Sequence, residues 1–184
     1  DVQIKDDLKT IKKMRFFYGY WQEYVLAKNC CDKIDSLFEN IEHLTSEKNI
    51  IGVHCRRGDF ITNENTQDHN VTNKEYFEQG VKLVLSAHPN NKVKIFTDDK
   101  DWCIKNLSFA HISNTFSDQS ALGEIRDFMH LKSSDSFVLS NSTFGWWASY
   151  AAKSHNKIIV LPDMWLNNLS TRQTKLYDEQ AHLL

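Results

Sequence analysis

The sequence contains only two prolines and six glycines in 184 residues, which argues against a flexible linker or a low-complexity segment. It has no run of about 18 apolar residues, the length that a membrane-spanning helix requires, so we expect no segment to cross a bilayer. The net charge of −2 provides no general positive field, which argues against a nucleic-acid partner. An anionic ligand would therefore need a local cluster of positive groups.

Cysteine is also scarce, and its spacing excludes a common kind of metal site. The four cysteines are Cys30, Cys31, Cys55 and Cys103, and no two of them form a Cys-x-x-Cys pair. A structural zinc site is therefore not expected. We interpret all four as free thiols, which are typical of a reducing compartment and favour the cytoplasm.

Short β-rich apolar runs alternate with helical stretches along the chain. The apolar runs occupy residues 49–54, 93–97, 137–140 and 157–161, and helical spacing covers residues 5–44, 74–87, 122–133 and 145–153. This alternation indicates βαβ units, so we predict an α/β fold with a Rossmann-like parallel sheet and flanking helices. The predicted division is a mainly helical segment over residues 1–48 and a sheet domain over residues 49–184.

Polar residues directly follow three of the predicted strands. These clusters are residues 54–59, 97–99 and 140–143. Ligands of parallel α/β sheets bind at the carboxyl ends of the strands. We therefore expect the three clusters to contribute to one binding site.

The cluster His-Cys-Arg-Arg-Gly-Asp over residues 54–59 has the composition of a phosphate clamp. Arg56 and Arg57 carry guanidinium groups that match phosphate oxygens in a bidentate way and stay charged at any working pH. Gly58 permits a tight turn and close backbone approach, and Asp59 adds a carboxylate. The pattern predicts a diphosphate site, and the alternative is a solvated cluster of surface charges.

The string Ser-Asn-Ser-Thr-Phe over residues 140–144 lies between a predicted strand and an apolar helix. Hydroxyl groups and backbone N–H groups at a helix N-terminus can bind an anion. This predicts a ligand contact by Asn141, Ser142, Thr143 and Phe144. The alternative is an ordinary helix cap followed by two core tryptophans.

Asp127 lies in a predicted helix close to the 140–144 string. Helical spacing predicts that Ile125, Phe128, Met129 and Leu131 face the core. Asp127 lies beside that face, where a carboxylate could accept both N–H donors of a guanine edge. Spacing alone favours the alternative, an exposed helix aspartate.

The pair Asp98–Asp99 ends a predicted strand. A divalent metal site is one interpretation, but adjacent carboxylates on an extended chain point apart and form a poor chelate. We favour a role in a turn and as a helix cap, with one side chain near the ligand.

Together these motifs resemble the α-1,2-fucosyltransferases of glycosyltransferase family 11 over almost the whole chain. The resemblance rests on five ordered matches: Tyr-Gly-Tyr-Trp-Gln at 18–22, His-Cys-Arg-Arg-Gly-Asp at 54–59, Phe-Thr-Asp-Asp at 96–99, Asn-Ser-Thr-Phe-Gly-Trp-Trp at 141–147 and Ile-Val-Leu-Pro-Asp-Met-Trp at 159–165. It implies the C-terminal, nucleotide-sugar-binding half of a GT-B-like glycosyltransferase. The implied reaction is inverting transfer of L-fucose from GDP-β-L-fucose to the 2-hydroxyl of a β-galactoside, without a metal or another cofactor.

The resemblance also assigns roles to residues of the GDP-fucose site. Arg56 would hold the β-phosphate, and His54 and Arg57 would support it. Ser142 and Thr143 would lie at the phosphate and the fucose. The other implied donor contacts are Asp127, which would read guanine, together with Asn141 and Phe144.

Inverting transfer needs a base for the acceptor hydroxyl, normally a carboxylate within about 3 Å. Asp59 is our candidate, with Arg56 as its catalytic partner at the leaving group. Glu64 and Asp68 in the following polar loop are rivals, and Asp59 could instead only orient Arg57.

The chain departs from the family pattern in two places. The glycine-rich motif of the family's first strand is absent, so we expect a preceding region in the complete enzyme. Phe60 replaces the usual tyrosine after Asp59. A bacterial source would place the enzyme in the cytoplasm or at the membrane periphery, and a eukaryotic source in the Golgi membrane.

Two other functions stay open on the sequence. One is a non-catalytic module that binds a GDP-sugar or a glycan. The other is a transferase that uses a different nucleotide sugar on the same scaffold.

Overall fold

The computed structural model describes residues 22–37, 47–62, 68–111, 123–179 and 181–184. The helical pattern predicted before residue 22, including residues 18–21 of the aromatic motif, lies outside these ranges. Glu64, one rival for the catalytic base, also lies outside them.

The strands and helices follow the predicted alternation. The helices are α1 Tyr24–Leu37, α2 Gly58–Thr62, α3 Lys74–Ala87, α4 Lys100–Asn106, α5 Gly123–Lys132 and α6 Thr143–Ala151. The strands are β1 Ile50–Cys55, β2 Lys92–Thr97, β3 Ser136–Leu139, β4 Ile159–Leu161, β5 Met164–Leu166, β6 Leu169–Ser170 and β7 Ala181–Leu183. The four predicted strands and the three predicted helices after residue 48 are present, with ends shifted by at most two residues.

Five strands form one parallel sheet in the order β2-β1-β3-β4-β7. This confirms the predicted α/β class, and β7 at one edge was not predicted. The chain moves from β1 to β2 on one side and then crosses to β3 on the other side. The strand order therefore reverses between β1 and β3, where open parallel sheets bind their ligands.

The sheet is buried on both faces, as parallel sheets usually are. On one face, Val53 of β1 packs with Phe77 of α3. On the other face, Phe137 of β3 packs with Leu131 of α5 and Trp146 of α6. Each of these fully buried side chains contributes roughly 1.5–3 kcal/mol by leaving water, so the two layers hold the sheet between the helices.

Helix α1 packs against α6 on the second face of the sheet. Ala27 is fully buried in that core, and the rings of Tyr24 and Tyr150 lie 6.3 Å apart. The Cys31 thiol donates to the carbonyl oxygen of Tyr150 at 3.4 Å. All four cysteines are free thiols, as predicted. None of the helices in the described ranges has the length and apolar character needed to cross a membrane.

Candidate active site

The loops after β1 and β3 are joined at the reversal point of the sheet. The Ser140 N–H donates to the carbonyl oxygen of His54 at 2.9 Å, which continues the pairing beyond β3. The Ser140 hydroxyl in turn accepts the Arg56 N–H at 2.9 Å. These bonds bring together the two sequence motifs that predicted an anion site.

Arg56 extends from the end of β1 and lines a cavity above the sheet. Its Nε donates to Asp59 at 3.0 Å, and its Nη1 lies 3.1 Å from a carboxylate oxygen of Asp98. Its Nη2 has no partner within the described ranges, and the side chain is 41% exposed. Two carboxylates thus hold Nε and Nη1 of the guanidinium, and Arg56 remains part of the cavity wall.

Asp98 organises the backbone of this loop, a role that the sequence did not reveal. Its carboxylate accepts the N–H groups of Arg57 at 2.8 Å and Gly58 at 3.1 Å. A Cβ at Gly58 would lie only 2.8 Å from the carboxylate, so glycine permits this close approach. Asp99 caps α4 by accepting the Trp102 N–H at 3.1 Å, which confirms the predicted capping role.

Replacing Gly58 by alanine is expected to displace Asp98 and loosen the loop. The new methyl group would collide with the carboxylate that holds both backbone N–H groups. We expect a loss of about 1–3 kcal/mol in the free energy of unfolding, measured by urea denaturation.

The matched control is Gly58→Ala in an Asp98→Ala background. There the carboxylate is absent, so the added methyl group should be nearly neutral. An equal loss in both backgrounds would contradict the proposed contact.

Arg57 points away from the cavity. Its guanidinium carbon lies 3.7 Å from the centre of the Trp102 ring, and its Nε lies 3.4 Å from Asp99. The side chain is only 14% exposed and is not among the residues that line the cavity. The structure therefore does not bring the second guanidinium of the predicted clamp to the cavity, and Arg57 instead anchors the loop to α4. Asp59 pairs with Arg56, not with Arg57 as the alternative supposed.

The turn after β3 forms the opposite wall of the cavity. Ser142, Thr143 and Phe144 line it, and Ser142 makes no side-chain hydrogen bond to cap α6. Asn141 is buried, and its amide nitrogen donates to the carbonyl oxygen of Trp165 at 2.7 Å. Trp146 belongs to the core, as the alternative supposed. The hydroxyl of Ser142 is not used as a cap, so an ordinary helix cap does not account for this string.

His54 lies under the turn with only 7% of its surface exposed. Its ring stacks on Phe144 at 5.3 Å, and a Cβ at Gly145 would lie 2.9 Å from its Nδ1. Burial lowers the pKa of His54 to about 4; nearby Asp98 raises the pKa and Arg56 lowers it further. His54 is therefore neutral at pH 7 and can offer a ligand a hydrogen bond but no charge.

The buried histidine makes stability depend on pH. Because the pKa of His54 is lower in the folded chain, the unfolded chain binds the extra proton between pH 6.5 and pH 4. Stability from this group is present above pH 6.5 and is lost as the pH falls. We expect a contribution of about 2 kcal/mol to be lost between pH 7 and pH 5.

Urea denaturation of the wild type and a His54→Gln variant at the two pH values measures this contribution. The variant should lose about 2 kcal/mol less than the wild type over the same pH interval. Equal losses in the two proteins would contradict the neutral, buried state of His54.

Asp127 lies on α5 and faces the cavity. It is only 8% exposed, so the alternative of an exposed helix aspartate is wrong. Leu131, one turn later on the same side, is fully buried. The prediction that Ile125 faces the core is wrong, because that residue is 37% exposed. Residues four apart share a helix face, and α5 turns the face of Asp127 and Leu131 towards the sheet.

The cavity has a volume of about 1040 Å³, at the upper end of small-molecule sites. Five buried side-chain polar atoms have no hydrogen-bond partner among the described residues, and four of them belong to residues that line this cavity. These four are Gln22 Nε2, His54 Nδ1, His69 Nδ1 and Asn141 Oδ1. Because buried polar atoms are nearly always bonded, we expect a polar ligand or ordered water at these atoms.

Several lining residues were not predicted as site residues. His69 comes from a segment whose spacing gave no such signal, and Gln22 and Trp165 were noted only as parts of matched motifs. Asp68, the rival base within the described ranges, does not line the cavity. In those same ranges, no group of three or more His, Cys, Asp or Glu side chains is placed to hold a metal ion.

The fold and the site together define a class of protein. A parallel sheet whose reversal point carries an arginine and a helix N-terminus is typical of α/β proteins that bind nucleotides. The model of glycosyl transferase family 11 matches residues 5–180, and the chain belongs to this family.

Curated relatives agree with this family. The chain is 24% identical over 181 residues to the Escherichia coli O-antigen biosynthesis glycosyltransferase WbnK, covering 87% of this chain and 59% of that protein. It is 24% identical over 161 residues to an Escherichia coli alpha-1,2-colitosyltransferase, covering 81% and 55%. It is 32% identical over 104 residues to galactoside 2-alpha-L-fucosyltransferase SEC1 of Bos taurus, covering 55% and 28%. The chain thus spans between about a quarter and three fifths of the length of these relatives.

Proposed function

We propose that this chain is the donor-binding half of an α-1,2-fucosyltransferase of GT-B-like architecture. The enzyme would transfer L-fucose from GDP-β-L-fucose to the 2-hydroxyl of a terminal β-galactoside with inversion. The observation that carries this proposal is that Arg56, from the loop after β1, lines one cavity together with Ser142, Thr143 and Phe144, from the turn after β3. The family membership and the fucosyltransferase relative support the choice of reaction.

The proposed donor lies across the reversal point of the sheet. The β-phosphate contacts Arg56, and the hydroxyls of Ser142 and Thr143 bind the phosphate and the sugar. The buried carboxylate of Asp127 accepts the N–H donors of guanine. His54, which is neutral, adds a hydrogen bond to the donor. Arg57 supports this arrangement indirectly, through its stacking on Trp102.

The reaction needs one bond to form and one to break. The oxygen of the acceptor 2-hydroxyl attacks the anomeric carbon of fucose, and the bond from that carbon to the β-phosphate oxygen breaks. The electron pair leaves with GDP, whose growing negative charge Arg56 stabilises. The hydroxyl proton passes to Asp59, whose carboxylate lines the same cavity.

A second candidate differs in the donor sugar. One relative is named an alpha-1,2-colitosyltransferase, which favours considering colitose beside fucose. A non-catalytic module would retain the contacts of Arg56 and Thr143 but would transfer neither sugar.

Transfer assays with the full-length protein test the proposal. Lactose is offered with GDP-fucose, GDP-colitose, GDP-mannose or UDP-galactose, with and without EDTA, and GDP binding is measured by calorimetry. We expect transfer from GDP-fucose to lactose that persists in EDTA. Preference for GDP-colitose would support the second candidate, and GDP binding without transfer from any donor would support the non-catalytic module.

A further inference from the structure

We infer that the Phe60–His69 pair forms the binding subsite for the acceptor sugar, an inference that rests on the proposed function. The two rings lie 4.8 Å apart at an angle of 32°, and both line the cavity. They belong to α2 and to the segment before α3. Neither residue is assigned a role by the reaction described above.

The pair offers the two kinds of contact that a pyranose needs. One face of a sugar ring presents C–H groups, which pack against the electron-rich face of an aromatic ring. The edges of a sugar ring present hydroxyl groups, which need polar partners. The buried Nδ1 of His69 has no hydrogen-bond partner among the described residues. The Phe60–His69 pair therefore supplies both a stacking surface and a polar atom that can bond a sugar hydroxyl.

The position of the pair distinguishes the acceptor from the donor. Phe60 follows Asp59 directly in α2, and Asp59 contacts Arg56. The carboxylate therefore separates the arginine from the aromatic ring along the chain. A sugar stacked on Phe60 would lie beside the proposed base, whereas the donor contacts Ser142 and Thr143 belong to the turn that follows β3.

The subsite is held in place before any ligand arrives. The Asn167 N–H donates to the carbonyl oxygen of Asp68 at 2.8 Å, which ties the β5–β6 hairpin to the residue before His69. Leu166 and Leu169 of that hairpin line the same cavity and extend its apolar surface. Preorganised walls of this kind reduce the entropy lost on binding.

Three variants of α2 in the full-length protein test the inference. Phe60→Leu removes the ring but keeps apolar bulk, Phe60→Tyr keeps the ring, and Ile61→Ala is the control because Ile61 is exposed and does not line the cavity. For each protein, calorimetry measures the Kd of GDP, the Kd of GDP-fucose and the Kd of lactose bound to the GDP-loaded protein.

We expect Phe60→Leu to weaken lactose binding about 3- to 10-fold, as loss of an aromatic contact predicts. Phe60→Tyr and Ile61→Ala should stay within about twofold of the wild type, and the Kd of GDP should not change in any variant. The KM for lactose should rise in parallel with its Kd in Phe60→Leu.

The outcomes separate this inference from the proposed function. Unchanged lactose affinity in Phe60→Leu, or no lactose binding by a wild type that binds GDP, would overturn the subsite alone. A selective loss of GDP-fucose affinity relative to GDP would assign the pair to the donor sugar and also overturn it. A wild type that fails to bind GDP would overturn the proposed function.

Discussion

Replacing Arg56 by alanine is expected to lower kcat/KM for fucosyl transfer about 10²- to 10³-fold while leaving the fold intact. Arg56 is the guanidinium that reaches the cavity, and loss of one preorganised donor to a developing negative charge has an effect of this size. The loop should survive, because Asp98 still accepts the N–H groups of Arg57 and Gly58. Transfer assays and urea denaturation measure the two effects separately.

The matched control is Arg172→Ala. Arg172 is also an exposed arginine, and it forms an ion pair with Asp163. Unlike Arg56, it does not line the cavity. Its loss should leave kcat/KM within about twofold of the wild type. Near-normal turnover by Arg56→Ala would refute the role of Arg56 at the leaving group.

The second large effect is expected for Asp59→Asn. If Asp59 accepts the proton of the acceptor hydroxyl, its amide replacement should lower kcat about 10²- to 10⁴-fold. The KM for GDP-fucose should change little, because the isosteric amide oxygen can still accept from Arg56 Nε. Steady-state kinetics with varied GDP-fucose measures both quantities.

The Asp98→Asn variant tests whether Asp59 acts as a base or only orients Arg56. Both aspartates contact the same guanidinium, but Asp98 is also held by two backbone N–H groups. If Asp59 acts only through Arg56, the two asparagine variants should have similar kcat values. A large loss of kcat confined to Asp59→Asn would support the base.

The main sheet could be predicted because its strands are short, buried and rich in β-branched residues. Those runs are bounded by polar residues, so strands β1 to β4 were identified to within two residues at each end. The hairpin β5–β6 and the edge strand β7 were not predicted. Each of these strands has only two or three residues, which is too short to establish an alternating pattern.

The candidate site was only partly predictable, because a motif gives the residues but not the directions of their side chains. Residues 54–59 and 140–144 lie together because both follow neighbouring parallel strands. Spacing could not reveal that Arg56 lines the cavity whereas Arg57 stacks on Trp102. It also could not place the ring of His69 in contact with that of Phe60.

Comparison of GDP with GMP tests the central claim most directly, because the two ligands differ only in the β-phosphate. If Arg56 holds that phosphate, calorimetry should give a Kd for GDP about 10- to 100-fold below that for GMP. In Arg56→Ala the ratio should fall close to one, with GMP affinity little changed. Equal affinities of the wild type for GDP and GMP would contradict the account.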